Sequence, residues 1–550
     1  MPPITGVLCA KTARVSICCT YSHFTLLFKV VQASKMLVMH TERYTSHSAS
    51  EVELEPFAVS AESESDPQLA ADLRFTSIIA EHFQAVGKLA LVVGGYARDK
   101  VISQLTGQPM KTKDIDTEVY GVEFDELVEQ LQVFGNVGLI GASFGIASIK
   151  NPASGRNLDF SIPREDSKID KGHKGFRVTG SPDMSVREAA RRRDLTINAL
   201  AVNPLTGALI DEYGGVADIK AGILRATDTE LFGDDPLRAL RVMQFAGRFN
   251  FSVDPATAEL CKTLDLTELP GKRIGEEWTK LMTQSERPSV GLQLARELGI
   301  LDQLHPELAV LDQIPQEPEW HPEGDVWEHT VLAVDAAAHI VREEQLLKDE
   351  AMVVLFGALC HDLGKATTTK VLKTHGKDRV TAYGHEVAGV KPATKLLESM
   401  EIKPSIIKAI LPIVEGHLFH KSSPEISDRA IRRFAQRLEP ANFRLWDLVS
   451  RCDANGRGQA FTPRTASYEV YRRSLELGVA EHPAPNIVQG RHLIEHLGLK
   501  PDPAFGKILR YLYDAQLDGE YTTPEGGIEY YRQHESDIQA MLSAETPVTG

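Results

Sequence analysis

Residues 89–121, LALVVGGYARDKVISQLTGQPMKTKDIDTEVYG, decide how this chain is read. An apolar run ends at Gly94-Gly95, a helical pattern opens with Arg98-Asp99, and Asp114 and Asp116 stand two apart in a β-branched setting. Each piece suits a nucleoside triphosphate. Paired glycines let backbone N–H groups at a helix N-terminus approach phosphate with no Cβ in the way. Arg98 lies one turn into that helix, where a guanidinium forks onto phosphate oxygens. Residues i and i+2 of a strand share a face, so both aspartates are placed to hold Mg²⁺ on one side. Two such ions activate an attacking hydroxyl and neutralise a leaving pyrophosphate. Singly, each piece has a plainer reading, since strand–Gly-Gly–helix turns are common and Asp-x-Asp is more often a solvated turn. Their order and close spacing favour the chemical one.

The stretch resembles the first signature of the nucleotidyltransferases of the DNA polymerase β superfamily. More narrowly, it is similar to the bacterial tRNA nucleotidyltransferase (CCA-adding) and poly(A) polymerase family, whose pattern is GGxVRD followed by DxD. Ala97 replaces the usual valine, a change that bears on helix packing more than on chemistry. Around the signature, residues 70–86 carry apolar positions at helical spacing, 89–93 read as a strand, and Ala97, Val101 and Leu105 recur every four residues. Gly145–Lys150 and Asn157–Ile162 read as further strands. By resemblance, Asp159 is the third carboxylate, acting as general base or completing a metal shell; a strand-edge aspartate is the alternative. Residues 165–184 are polar and aperiodic and read as a mobile loop able to close over a growing 3′ end.

The run from Arg191 to Leu200, RRRDLTINAL, places three arginines at the entry to an apolar helix, where they would also suit a solvated face. It matches the family's second signature. The match implies that Arg193 contacts nucleotide phosphate or sugar, while Asp194 and Asn198 organise the pocket and read the ribose 2′-OH. The following NPLTGALIDEYGGVADIKAGILRATD resembles the family's hairpin and short helix.

Asp234-Asp235-Pro236-Leu237-Arg238-Ala239-Leu240-Arg241 resembles the family's EDxxRxxR motif, with Asp234 in place of glutamate. Pro236 suits a first helical turn, and residues three apart face the same way, so Asp235 and Arg238 form one edge with Arg241 a turn further on. An i,i+3 salt bridge is the plain explanation. The chemical one is that a carboxylate accepts from an exocyclic amino group while a guanidinium donates to the bare ring nitrogen beside it. Cytosine and adenine offer that pair; uracil and guanine present the reverse. Such an edge selects CTP and ATP.

A proline-rich segment, IPQEPEWHPEGD at 314–325, reads as a hinge. Beyond it His329 falls early in an amphipathic helix, His361-Asp362 closes another, and Gly364 breaks it. His385, His417 and Asp453 follow, whereas His375 and His420 read as packed or surface histidines. The ordered set His, His-Asp and Asp encloses a divalent metal and resembles the HD phosphohydrolase superfamily. His385 and His417 match histidines that some HD domains add for a second metal. The resemblance implies metal-activated hydrolysis of phosphate esters, by phosphatase or 2′,3′-cyclic phosphodiesterase activity. Imidazole-rich ligands favour Ni²⁺, Co²⁺ or Mn²⁺, and the all-oxygen head favours Mg²⁺. Residues 485–523 look like the family's helical tail, with Gly490, Gly498 and Gly506 at turns that either hold RNA phosphates or simply cap helices.

With 550 residues, 42% hydrophobic and 25% charged, a globular chain of several domains is expected. The net charge of −16 argues against a protein that coats nucleic acid everywhere, while local basic patches leave RNA binding open. Six scattered cysteines without a CxxC pair suit a reducing cytoplasm. Before Glu42 there is no acid, but Lys11, Arg14, Lys29, Lys35 and three cysteines occur. Lys29 interrupts an apolar stretch too short to span a bilayer, and the leader is expected to be a dispensable extension, or to precede a true start at Met36 or Met39. An organellar transit peptide would carry more arginine.

The expected fold is α+β, a small mixed-sheet nucleotidyltransferase head and a mainly helical body. The segments are an extension (1–65), the head (66–210), a helical nucleotide-recognition and neck region (211–313), the HD domain (314–460) and a helical tail, a candidate tRNA-binding element (461–550). The expected activity is template-independent addition of CMP and AMP to tRNA 3′ ends. Poly(A) synthesis, addition of CC or A alone, and an HD hydrolase whose head only binds RNA are the alternatives. No membrane partner is expected, and the sequence is silent on oligomeric state.

Overall fold

The computed structural model describes residues 66–544 apart from 111, 113, 141–144, 169–175, 375–376, 424, 459–460 and 463. The acid-poor leader and His375 therefore lie outside the described residues.

Asp66 starts the first helix, Pro67–Ala85, by accepting from the N–H groups of Gln68 and Leu69, with proline at the first position, where no N–H is needed. Its Ile79 and Phe83 pack with Ala90, Val119, Leu158 and Phe160 of the sheet. That sheet has the strands β1 (Leu89–Val93), β2 (Asp116–Tyr120), β3 (Val137–Ile140), β4 (Ile146–Lys150), β5 (Asn157–Ser161), β8 (Ala201–Val202) and β9 (Leu209–Ile210). Their order is β3-β4-β5-β2-β1-β8-β9. β2 runs parallel to β5 and antiparallel to β1, so the sheet is mixed, as expected. Four of the five β1 residues are buried, which is why the strand reads as an unbroken apolar run. Gly94 turns β1 into the helix Gly95–Thr106 with φ +69°, a conformation that excludes most side chains.

Three local expectations are corrected. β2 begins only at Asp116, so Asp114 precedes the strand instead of sharing its face. The supposed loop at 165–184 contains an antiparallel hairpin, β6 (Arg164–Lys168) with β7 (Phe176–Gly180). FRVTG does alternate, with Phe176 and Val178 two apart, but two apolar residues in a long polar stretch are too short a period to mark a strand. The second signature does not open a helix. The helix Val186–Arg191 ends within the arginine run, and Thr196–Asn198 is a single 3₁₀ turn leading into β8.

Helices Leu237–Phe249, Pro255–Lys262, Gly271–Gln284 and Pro288–Glu297 form the neck. Val326–Glu343, Lys348–Cys360, Val390–Ser399, Pro404–Gly416, Asp428–Leu438 and Phe443–Asn455 form the body beyond the proline-rich segment. One apolar core runs from Ala97 and Val101 through Trp278 and Leu281 to Trp327, Phe356 and Trp446. It does not stop at 314–325, where Val326 N–H donates to the Ile314 carbonyl at 3.1 Å. The tail has its own core around Leu493, Leu512, Tyr521 and Tyr531, and Arg433 grips Asp518 with two bonds of 2.6 and 2.9 Å. Among the described residues no helix is long and apolar enough to cross a membrane.

Candidate functional site

Asp116 and Asp159 are register partners on the parallel pair β2–β5, which sets their side chains next to each other on one face. They line a cavity of about 260 Å³ with Glu118, Arg192 and Arg193. Desolvation raises the Asp116 carboxyl above its ordinary value; Arg193 opposes this, and the Asp114 and Asp159 carboxylates add to it. Like charges gathered this way call for a cation, which is the fit expected of a Mg²⁺ site. Asp114 stands exposed at the rim, 3.6 Å from Arg156, which also pairs with buried Asp72 at 3.1 Å. Glu118 was not anticipated from the sequence. It continues the Asp114, Asp116 spacing by two, accepts from the Tyr120 hydroxyl at 2.6 Å, and pairs with Arg193 at 3.5 Å.

Two cations flank the paired glycines: a Cβ on Gly94 would come within 3.6 Å of Arg193 Nη1, and one on Gly95 within 3.6 Å of Arg98 Nη2. Arg98 is buried and bonded within the protein. It donates through Nε and Nη2 to Asp99 at 2.8 and 2.7 Å and through Nη1 to Asn198 Oδ1 at 2.6 Å, and its guanidinium lies over the Phe245 and Phe249 rings. Three of its five N–H donors, including the Nε–Nη2 edge, are thus taken within the protein, as burial of a guanidinium demands. Asn198 passes the chain on by donating to Asp194 Oδ1 at 3.0 Å, and Arg241 Nε meets Asp194 Oδ2 at 2.6 Å. Burial would raise the Asp194 carboxyl, but Arg241 and Asn198 outweigh it and hold the group below the ordinary carboxylate range. The three signatures are one bonded network.

Asp235 and Arg238 do not pair with each other. Arg273, which nothing in the sequence marked, holds Asp235 with two bonds of 3.2 and 2.8 Å, and Leu237 N–H adds a third at 3.1 Å. Arg238 donates to the carbonyls of Leu231 at 2.6 Å and Arg192 at 2.7 Å. Each side chain is fixed in place by partners other than its neighbour, so the simple i,i+3 bridge is not formed. A guanidinium has five N–H donors, so Arg238 keeps donors beyond these two bonds.

Beyond the proline-rich segment the six expected ligands converge. His329 is early in Val326–Glu343, His361 caps Lys348–Cys360, His417 caps Pro404–Gly416, and Asp453 lies near the end of Phe443–Asn455. Gly364 allows the approach of His385, since a Cβ there would lie 1.9 Å from the His385 carbonyl oxygen. His329 Nε2 stands 3.2 Å from His361 Nε2, 3.3 Å from Asp453 and 3.7 Å from Asp362. On the other side of Asp362, His385 Nε2 is 3.2 Å from its Oδ1 and 3.2 Å from His417 Nε2. Two ligand triads therefore share Asp362.

The protonation pattern fits metal. Nδ1 of His361, His385 and His417 each meets a backbone carbonyl at 2.7 Å, and His329 Nδ1 meets Glu323 at 2.7 Å. With Nδ1 engaged there, His385 and His417 have Nε2 to offer a cation; in the metal-free protein burial disfavours a charged His385, but Asp362, 3.2 Å from its Nε2, overcomes this and raises it. Donors on one tetrahedral ion at about 2.0–2.1 Å stand about 3.3 Å apart, close to these separations. Burial, with the neighbouring His361, pushes the His417 imidazole down to about 3, so it stays neutral and able to ligate. Burial also disfavours a charged His329, but bonds to Asp453 and Glu323 overcome this and lift it to about 9 in the metal-free protein.

Glu323, His321 and Lys365 were missed. His321 and Glu323 sat in the segment read only as a hinge, yet Glu323 bridges His321 and His329 at 2.8 and 2.7 Å. Lys365, three residues after Asp362, contacts its Oδ2 at 2.6 Å, a spacing the sequence did offer.

Residues 90–225 match the poly A polymerase head domain, 250–311 the probable RNA and SrmB-binding site of polymerase A, and 326–443 the HD domain. The chain is 32% identical over 405 residues to the multifunctional CCA protein of Pasteurella multocida, covering 71% of this chain and 90% of that one. It is 34% identical over 316 residues to that of Chromobacterium violaceum, covering 56% and 70%. In fold it is similar to the Bacillus stearothermophilus CCA-adding enzyme in complex with CTP, with a TM-score of 0.58 at 18% identity over 86% of this chain and all of that one. The Thermotoga maritima CCA-adding enzyme complexed with tRNA gives 0.52 at 17% identity, covering 89% of this chain and 99% of that one.

Proposed function

We propose the function of this chain from the premise that it belongs to the family of the multifunctional CCA proteins. It is a tRNA nucleotidyltransferase that adds CMP and AMP from CTP and ATP to the tRNA 3′ end without a template, and it works in the cytoplasm. The observation that carries the reading is the bonded network joining all three signatures beside an acid-lined cavity. Asp114 and Asp116, with Asp159 alongside, would hold Mg²⁺, which when bound supplies Lewis-acid activation of the attacking hydroxyl and neutralises pyrophosphate. Arg193 and the backbone at Gly94-Gly95 receive the triphosphate, and Arg98 keeps that helix start and Asn198 in place. Asp235, oriented by Arg273, accepts from the exocyclic amino group of cytosine or adenine, and Arg238 donates to the adjacent ring nitrogen. Polar groups left unpaired or clashing reject UTP and GTP.

The test uses tRNAs ending in the discriminator base, in C or in CC, each with a single NTP. Stepwise C, C and then A incorporation is expected. Repeated A incorporation without CTP would make the chain a poly(A) polymerase, and no extension at all would leave the head an RNA-binding module.

The second centre is read as a metal-dependent phosphohydrolase, acting on phosphate monoesters or 2′,3′-cyclic phosphates. His329, His361, Asp362 and Asp453 would hold one ion and Asp362, His385 and His417 another; Ni²⁺, Co²⁺ or Mn²⁺ suits the imidazole-rich set. Bound metal supplies a nucleophilic water at neutral pH. Glu323 orients His329, and Lys365 balances the charge of Asp362.

A further inference from the structure

On its Asp453 side the HD centre carries side chains that no ligand role uses. Lys421 ends the short turn Phe419–Lys421 after His417 and sets Nζ 3.3 Å from Asp453 Oδ2, with 46% of the side chain still exposed. Arg457 sits in the turn Gly456-Arg457-Gly458, which is pinned against the helix of His329. A Cβ on Gly456 would come 3.0 Å from Ala333, and one on Gly458 would come 3.9 Å from Glu323 Cβ. Arg457 Nε is buried and has no acceptor among the described residues. His420 feels the charges of Lys421, Asp453 and Arg457 together, and its buried Nδ1 has only the His417 backbone near it. Lys365, across the centre, differs: Asp362 and Gln316 hold it at 2.6 and 2.7 Å.

Donors left without acceptors beside a metal centre define an anion subsite. The charge balance gives its class. The carboxylates of Asp362, Asp453 and Glu323 balance Lys365, Lys421 and Arg457, so each bound divalent ion leaves a positive excess. A dianion answers that excess better than a monoanion. We propose that His420, Lys421 and Arg457 hold the phosphoryl oxygens of the substrate and are built for the dianion of a phosphomonoester in preference to the monoanion of a 2′,3′-cyclic phosphodiester. The assignment rests on the phosphohydrolase reading above. Hydrolysis of a monoester breaks the ester P–O bond, adds water at phosphorus, and leaves an alcohol and inorganic phosphate. Inorganic phosphate is therefore the probe of the same subsite.

The experiment uses full-length protein loaded with Ni²⁺, Co²⁺ or Mn²⁺, and its Lys421→Met, Arg457→Gln and Lys421→Arg variants. Phosphate binding is measured by calorimetry, bound metal by elemental analysis, and kcat and KM with a nucleoside monophosphate and a 2′,3′-cyclic nucleotide. Lys421→Met and Arg457→Gln are each expected to weaken phosphate binding and raise the monoester KM roughly tenfold or more. The cyclic substrate should suffer less, Lys421→Arg should keep most of the affinity, and metal content and CCA addition should not change. Unaltered phosphate affinity in both variants, or equal losses on the two substrates, would overturn the proposal. Should Lys421→Met shed metal, its role is to hold Asp453, and Arg457→Gln, which touches no ligand, then decides. A wild type that hydrolyses neither substrate but binds phosphate through these residues would remove the hydrolase reading and keep the subsite.

Discussion

Asp116 combines three pressures at one carboxyl: desolvation, Arg193, and the neighbouring Asp114 and Asp159. Asp116→Ala and Asp114→Ala are each expected to abolish nucleotide addition with Mg²⁺ while far-UV circular dichroism and Tm stay near wild type; extension by either pure variant would refute the metal assignment. At the base edge, Asp235→Ala, Arg238→Ala and also Arg273→Ala should relax discrimination against UTP and GTP, by on the order of 1–3 kcal/mol in relative kcat/KM. Arg273 belongs in that set because it fixes Asp235 at 3.2 and 2.8 Å. Unchanged selectivity in the Arg273 variant would mean that Asp235 is oriented by its backbone alone. Residue placement was legible where short motifs carried it, as with the Gly94 turn out of β1 and Asp116 on β2. It was not legible for Arg98, whose inward turn depends on Asn198 and on rings at Phe245 and Phe249, all far away in sequence. Arg273 had no signal for the same reason, whereas Glu323, six residues before His329, was hidden by the hinge-like composition around it.

At the scale of elements, the helix Gly271–Gln284 carries Arg273 toward the nucleotide pocket and lays Gly275 against the end of Val390–Ser399. A Cβ on Gly275 would sit 1.9 Å from the Met400 carbonyl oxygen, so the two helices touch through backbone. Gly275→Ala should therefore cost about 1–3 kcal/mol of stability by overpacking. It should also loosen NTP selection, since the displaced helix moves Arg273; urea melts and single-NTP assays would check both, and a stability loss with intact selection would uncouple them. The helix Phe443–Asn455 bears a different constraint. Burial pushes the Asp447 carboxyl up to about 6, from an ordinary value of 3.8. A raised folded-state pKa means the native chain holds a proton the unfolded chain lacks, so this contribution to stability is full below about pH 4 and is lost as pH rises through 6. Asp447→Asn keeps an acceptor for Ser467, now at 2.5 Å. The variant should be more stable at pH 7.5, on the order of 1–3 kcal/mol, and equal to the parent near pH 3.5. Long helices were readable because one-sided burial imposes a period, and strand β1 because burial on both faces makes an unbroken apolar run. The hairpin β6–β7 and the 3₁₀ turn Thr196–Asn198 were not, because one is set by pairing and leaves only the short alternation of Phe176 and Val178, and the other is set by a side-chain network.

Taken whole, the molecule carries two unlike candidate ligand sets, oxygen before the proline-rich segment and mostly imidazole after it; the neck and HD helices share one apolar core, while the strands of Asp116 and Asp159 pack into another around Phe83 and Phe160. The sequence shift at 314–325 reads as a hinge, yet its Ile314 packs against the shared core and its Glu323 supports a ligand of the second centre. Chemical independence and mechanical independence therefore come apart. His361→Ala should eliminate transition-metal-dependent hydrolysis of monoesters or cyclic nucleotides and leave CCA addition with Mg²⁺ in place, while Asp116→Ala does the converse. Heat should nevertheless unfold neck and HD helices in one transition. Because metal binds the folded triads and not the open chain, saturation at a hundred times Kd should stabilise that transition by about 2.7 kcal/mol, and chelation should reverse it. His361→Ala should abolish most of the metal-induced shift. Two calorimetric transitions, with only the later one moved by Ni²⁺ or Mn²⁺, would show that the shared core does not transmit stability. Loss of both activities in a folded His361 variant would show the opposite extreme, in which the centres depend on each other for catalysis as well as for packing.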